Sequence, residues 1–329
     1  MIKVVLDAMG GDHAPCANLE GVKLAVERGV VDQRRVLLTG PQQVLAPELA
    51  ALGLSGCEII DAPDVLTCND TPVDAMRRKP NNSISLGIRA VAERRAAGFI
   101  SAGSTGVVVA AASVGLPRLE GIRRPGIAVA ITGEGGVPFV VVDVGANPQP
   151  KAVDLLQYAI MGSAYYRGTL GNDRPRVGLL NIGTEDTKGN PLTKEAALLL
   201  REAPINFVGN VEGVDVFAGR CDVVVCDGFT GNVLLKVSEG CAEYLLRTTA
   251  SFMREAGIDG RQVLQKLKQR VDYSEYGGAQ LLGVDGGVTI CHGRSGPEAI
   301  CNAIRFALRA AGAEVNHHIV TAARAAAAS

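Results

Sequence analysis

The sequence predicts an α/β fold, a mostly parallel sheet covered on both faces by helices, and three observations lead to it. Short β-branched runs recur along the 329 residues, each closed by Gly or Asp and followed by a helical pattern. The composition is aliphatic: 47% of residues are hydrophobic, 4% are aromatic and Trp is absent, as in sheets buried between helices. No repeat of fixed period and no Ser- or Pro-rich linker interrupts the chain, which points to a single domain, 1–329, with one excursion. In such a fold ligands sit beyond the carboxyl ends of the strands.

In chain order the strand-like runs are IKVVLDAMGGD, RRVLLTG, CEIIDAP, GFISAGSTG, GIAVAITG, PFVVVDVGAN, RVGLLNIGTE, INFVGNVEG, CDVVVCDGFTGN and VTICHGRSG. Residues 96–117 carry no charge and are long enough to span a bilayer. Gly103, Ser104, Thr105 and Gly106 would break a lipid-exposed helix there, so a strand, a tight turn and a helix start are expected. The excursion is 239–283, a helical stretch broken by AGIDGR at 256–261, which reads as a projecting pair of helices. The alanine-rich 321–329 reads as a helix end.

Lys+Arg 33 against Asp+Glu 34 leaves a net charge of -1, so no global field draws the chain to nucleic acid or anionic lipid. The N-terminus enters a strand at once, without a basic leader or cleavage site, the pattern of a cytoplasmic protein. The 8 Cys follow no metal spacing and are expected as reduced, mostly buried thiols.

Five strand-end turns carry the chemistry. In the first, Asp7 precedes Gly10 and Gly11, which let backbone approach an anion closely, while Asp12 could instead cap the helix starting near Pro15. In the second, Gly103, Ser104, Thr105 and Gly106 lead straight into a helix, so free amides and hydroxyls would meet one phosphate. The spacing is neither GxGxxG nor a Walker loop, which disfavours a dinucleotide or triphosphate; plain capping by Ser104 or Thr105 is the alternative. The third, VDVGANPQPK, offers Asp143, Asn147 and Lys151, or an Asx turn before a helix. The fourth, NIGTEDTKGN, packs Thr184, Glu185 and Lys188 into one loop, where Lys188 can reach a phosphate or a developing oxyanion. The fifth, CDGFTGN, brings Asp227, Thr230 and Gly231, with Asn232 in the first turn of a long helix as a candidate oxyanion donor.

No Ser/His/Asp or Cys/His nucleophile announces itself, since none of His13, His292, His317 and His318 lies near a G-x-S-x-G elbow. Acyl transfer from a thioester to inorganic phosphate needs none. The phosphate is already partly dianionic, the thiolate leaves readily, and positioning with oxyanion donors suffices.

The segments LDAMGGDHAP, SAGSTGVVVAAA, RRPGIAVAI, VDVGANPQPK, NIGTEDTKGN, VGNVEG, DVVVCDGFTGNVLLK and GVDGGVTICHGRSGPEAI, in this order, closely resemble the PlsX phosphate acyltransferases of bacteria. The resemblance implies transfer of an acyl group from acyl carrier protein to inorganic phosphate. The acyl-phosphate would feed a membrane glycerol-3-phosphate acyltransferase in phospholipid synthesis. It further implies a three-layer α/β/α, isocitrate/isopropylmalate dehydrogenase-like fold, a homodimer, peripheral attachment to the membrane surface, and Lys188 and Asn232 as catalytic residues. No metal or organic cofactor is expected. Under this reading the arm, with Arg261, Leu264, Lys266, Leu267, Lys268 and Arg270 on an amphipathic helix, could meet the acidic carrier or the lipid surface; ordinary packing of an amphipathic helix is the favoured alternative. An NAD-dependent decarboxylating dehydrogenase and a non-catalytic phosphate-metabolite binder are the competing readings.

Overall fold

The computed structural model describes residues 2–67, 70–271 and 276–327. The chain opens with strand β1 (Val4–Asp7), helix α1 (Cys16–Glu27), β2 (Val36–Gly40), α2 (Gln42–Ala51), β3 (Glu58–Asp61), α3 (Pro72–Arg77), α4 (Ser83–Ala92), β4 (Gly98–Ser101) and α5 (Thr105–Gly115). It continues through β5 (Gly126–Thr132), β6 (Pro138–Val142), α6 (Ala152–Leu170), β7 (Arg176–Leu180), α7 (Pro191–Glu202), β8 (Asn206–Val211), α8 (Gly213–Phe217), β9 (Val223–Val225), α9 (Gly228–Glu255) and α10 (Arg261–Val271). Strands β10 (Ala279–Leu282) and β11 (Gly287–Ile290) and helices α11 (Pro297–Gly312) and α12 (Val315–Ala327) follow.

The described residues fall into two compact units, bounded as Met1–Pro125 with Tyr276–Arg324 and as Gly126–Glu275 with Ala325–Ser329. In the first, the strand order is β3-β2-β1-β4-β11-β10, parallel except for the antiparallel β10–β11 pair. In the second it is β5-β6-β9-β7-β8, parallel except for the antiparallel β5–β6 pair. Every residue of β1, β4 and β9 is buried, as expected of apolar strands covered on both faces. Edge strand β3 instead exposes Glu58 and Asp61 at its ends, charges that discourage pairing with a further strand.

The first core joins Leu6, Leu38 and Ile100 of the sheet to Leu19 and Val22 of α1 and Ile300 and Ile304 of α11. In the second, Val140, Val141 and Val224 are fully buried, as are Leu155 and Tyr158 of α6, which packs on β6 and β9. Helix starts follow local chemistry: the Asn82 side chain accepts from the Ser85 N–H at 2.8 Å, and Asn190 accepts from the Thr193 N–H at 2.9 Å, capping α4 and α7.

The uncharged 96–117 forms β4, a turn and α5, and among the described residues no helix is long and apolar enough to cross a membrane. The helical excursion needs one correction. Residues 279–282, counted with it on sequence, form strand β10. AQLL has no β-branched residue, and pairing with β11 decides its state: Ala279 faces Ile290 and Gln280 faces Thr289, whose hydroxyl donates to Gln280 Oε1 at 3.0 Å. Residues 272–275 of the excursion and 328–329 of the alanine-rich end lie outside the described residues. Beyond Leu235 no residue of α9 is buried. Among the described residues Cys57, Cys221, Cys226, Cys291 and Cys301 are free and buried, and Cys16 and Cys241 are free and exposed.

Phe99 is a fully buried ring at the centre of the first sheet. Phe99→Ala should lower the unfolding free energy by about 3–5 kcal/mol, read from the denaturant midpoint at unchanged m-value.

Candidate active site

In the first unit the site grows from a buried carboxylate. Asp7 ends β1 at 1% exposure; its Oδ2 accepts the Ser101 hydroxyl at 2.7 Å and its Oδ1 accepts the Met9 N–H at 3.0 Å. Ser101 ends the neighbouring β4, and its Oγ in turn accepts the Gly103 N–H at 2.9 Å. The turns after β1 and β4 are thereby bound into one structure. A Cβ on Gly10 would stand 2.5 Å from Asp7 Oδ2 and 2.6 Å from Gly103 N, so the close approach admits only glycine. Gly11 backs onto Ala102. Burial pushes the Asp7 carboxyl above the ordinary range, while the Ser83 and Ser101 hydroxyls and the Met9 and Gly10 amides oppose the shift.

Two capping alternatives are not adopted. Helix α1 begins at Cys16 behind Pro15 with no side-chain cap, so Asp12 does not serve as one. Helix α5 begins at Thr105 with Ser104 at the N-cap position and likewise no side-chain cap bond. Ser104, Thr105 and Gly106 are exposed, and the helix start presents amides of the kind that attract an anion. Sequence reasoning gave no role to the third turn of this edge, 291–296. Strand β11 runs parallel to β4, the Cys291 N–H donates to Ser101 O at 2.8 Å, and the Asp12 N–H donates to Gly293 O at 2.7 Å. The HGRSG run could have flagged it, being a Gly-rich strand end before a Pro-started helix.

In the second unit the organiser is Asp143, at the end of β6 and fully buried. Its Oδ1 accepts the N–H groups of Ile127 at 2.9 Å, Gly145 at 3.0 Å and Ala146 at 2.9 Å, and its Oδ2 accepts that of Asn147 at 2.7 Å. The carboxylate is thus occupied by its own loop, which it shapes, and by one amide of β5. Burial pushes it above the usual range, against the pull of these amides.

The DGFTGN turn closes on this loop. The Gly228 N–H donates to Asn147 O at 2.9 Å, and a Cβ on Gly231 would lie 1.9 Å from Asp143 O. Asp227 caps α9, accepting the Thr230 N–H at 2.9 Å and the Thr230 hydroxyl at 2.7 Å, so these two side chains hold each other. Asn232 is exposed in the first turn, its Oδ1 3.7 Å from where a Cβ on Gly145 would stand.

Lys188 lies in the loop after β7, beside β9, so the Asp143 turn, the Asn232 turn and the Lys188 loop share the carboxyl edge of β6-β9-β7. Backbone bonds hold the loop: the Lys188 N–H donates to Glu185 O at 3.1 Å, as does Asn210 Nδ2 at 3.1 Å, and Asn181 Nδ2 donates to Lys188 O at 3.3 Å. Thr184, Glu185 and Lys188 are exposed. Lys151 is the N-cap of α6, its N–H donating to Asp154 Oδ2 at 2.7 Å.

A thiol nucleophile is disfavoured at the buried cysteines. Burial pushes Cys221 and Cys291 up to about 12, far from the thiolate form at neutral pH.

Parallel sheets whose adjacent strand ends carry tight, amide-rich turns define the class: α/β proteins that take their ligand at that edge. Residues 2–318 match the family model described as fatty acid synthesis protein, and the chain belongs to that family. It is 45% identical over 316 residues to a phosphate acyltransferase of Heliobacterium modesticaldum, covering 93% of each chain. The PlsX resemblance of the eight segments is thereby borne out. A phosphotransacetylase from Streptococcus pyogenes superposes with a TM-score of 0.61 at 18% identity, covering 95% of this chain and 94% of that one. A 4-hydroxythreonine-4-phosphate dehydrogenase from Burkholderia phymatum does so with a TM-score of 0.50 at 15% identity, covering 96% and 98%. Both share the fold, in keeping with the expected dehydrogenase-like α/β/α architecture.

The raised carboxyls set a pH dependence. The folded chain keeps protons on Asp7 and Asp143 that the unfolded chain has released. Their contribution to stability is therefore fully present below the unfolded carboxyl value of about 3.9 and is lost as pH rises through the higher folded values. The stability of wild type minus that of Asp7→Asn should fall between acidic and neutral pH, as read from urea midpoints; a difference that rises with pH would contradict the burial effect.

Proposed function

We propose that the chain is a phosphate acyltransferase that moves a fatty acyl group from acyl carrier protein to inorganic phosphate, releasing free carrier and an acyl-phosphate for phospholipid synthesis. The likeness along nearly the whole chain to relatives of that name carries the reading. The strand-end turns supply the chemistry it needs: positioning and anion-stabilising donors.

In this mechanism a phosphate oxygen attacks the thioester carbonyl carbon, a C–O bond forms and the C–S bond breaks. The proton of the phosphate monoanion or dianion goes to the departing sulfur. The Lys188 ammonium balances charge on phosphate and on the developing oxyanion, and the Asn232 amide donates to the carbonyl oxygen. Asp7, Gly10, Gly11 and residues 103–106 form and brace the turns of the first unit, and Asp143, Asn147, Thr184, Glu185, Asp227, Thr230 and Gly231 form and brace those of the second; this reading gives each set, by itself, a part in substrate binding.

The arm supports a partner surface. Val233, Val237, Tyr244, Leu245 and Phe252 of α9 and Val263 and Leu267 of α10 are exposed, while Leu264 is half-buried. A homodimer, a lipid surface and a transient membrane glycerol-3-phosphate acyltransferase are the partners this reading assigns, with Lys266, Lys268 and Arg270 facing the acidic carrier. Arg261 is engaged with Asp259 at 2.8 Å.

Purified protein given acyl-carrier protein and phosphate should form acyl-phosphate, and unaltered acyl-carrier would end the proposal. Lys188→Ala and Asn232→Ala should each lower turnover by about 100- to 1000-fold while substrate still binds. Reversing Lys266, Lys268 and Arg270 to Glu should raise KM for the carrier but not for phosphate; equal KM values in variant and wild type would remove the arm from carrier recognition.

A further inference from the structure

We infer that the turn after β11, built on Arg294 and Ser295, is a binding site for a phosphate group, forming the third wall of the edge begun by the turns after β1 and β4. The inference deepens the acyltransferase reading and rests on it.

Ser295 provides the first observation. It is 8% exposed, yet its hydroxyl has no hydrogen-bond partner, although its own N–H donates to His292 O at 2.9 Å. A buried hydroxyl without a partner is costly and uncommon in a native protein, and a ligand oxygen is a ready explanation. Ser295 directly precedes Gly296, the N-cap of the 16-residue α11, which has no side-chain cap. The hydroxyl therefore stands at a helix start whose own amides are not taken up by a capping side chain.

Arg294 is the second. It is exposed, and among the described residues no ion pair engages its guanidinium. Its backbone is fixed, since its N–H donates to His292 Nδ1 at 3.1 Å. A guanidinium carried by a fixed backbone, one residue before the unpartnered Ser295 hydroxyl in the chain, matches the tetrahedral oxygens of phosphate better than a point charge does.

Placement is the third. The Gly293 carbonyl accepts the Asp12 N–H at 2.7 Å and the Cys291 N–H donates to Ser101 O at 2.8 Å, so this turn is tied to both of its neighbours. The charges around it are mixed. Glu298, in the first turn of α11, is neutralised by Arg28, with the two pairs of atoms 2.6 and 2.7 Å apart. Asp12, whose Oδ1 is 3.5 Å from where a Cβ on Gly293 would lie, remains a like charge at the rim. It weakens the hold on the anion and favours release of a product bearing one.

Free phosphate and the phosphodiester in a carrier protein's prosthetic arm present the same chemistry, and kinetics separates them. Arg294→Gln and Ser295→Ala are compared with wild type for inorganic phosphate binding by calorimetry and for KM of phosphate and of acyl-carrier protein, with thermal unfolding as the folding control. A rise of about tenfold or more in the phosphate Kd and KM, with the carrier KM unchanged, is expected and places free phosphate here. The same rise confined to the carrier KM would keep the site and assign it to the carrier's phosphodiester. Unchanged values for both substrates in folded Arg294→Gln, with wild type active, would overturn the inference alone; an inactive wild type would instead overturn the acyltransferase reading.

Discussion

Two carboxylates buried at strand ends govern everything that follows in this protein. Asp7 and Asp143 each terminate an apolar strand and each receive hydrogen bonds from the turn that comes next. A charge-assisted bond of this kind contributes about 1.5–3 kcal/mol, while removing a carboxylate from water opposes it. The balance favours the protonated form more than in water, since burial is the largest cause at both sites. What the arrangement secures is shape. The bound amides fix the turns tightly enough that only a hydrogen fits at Gly10 and at Gly231.

Much of the fold was legible because each strand is a short β-branched run closed by Gly or Asp, a pattern that the buried, mostly parallel sheets require. Strand β10 was not, since AQLL has no strand signature of its own and owes its state to β11. The candidate turns were legible for the same reason as the strands: they close them. Their inner roles were not. Nothing in the spacing of VDVGAN says that the Asp143 oxygens are filled by four backbone amides, because that depends on how the loop curls after leaving the sheet. Nor does sequence show that Ser104 leaves α5 uncapped while Asp227 caps α9, since both residue types favour the position. The place of the 291–296 turn at this edge is not legible either, because its partners, Asp12 and Ser101, are far away in sequence.

The chemistry follows from this division of labour. The buried carboxyls brace backbone, and the side chains left exposed at the edge of the second unit, Lys188 and Asn232 among them, are those suited to act on a ligand. A reaction between a phosphate oxygen and a thioester suits such a site, because the nucleophile arrives already charged and the protein has to orient it and receive the oxyanion. The buried thiols stay inert, which agrees with a reaction that passes through no enzyme-bound acyl group.

The most direct measurement follows the oxygen atoms of phosphate labelled throughout with oxygen-18, using acyl-carrier protein as donor and mass analysis of the product. Direct attack by phosphate predicts an acyl-phosphate that keeps every labelled oxygen, one of them bridging carbon and phosphorus. Loss of one label to water, with an unlabelled bridge, would contradict the account.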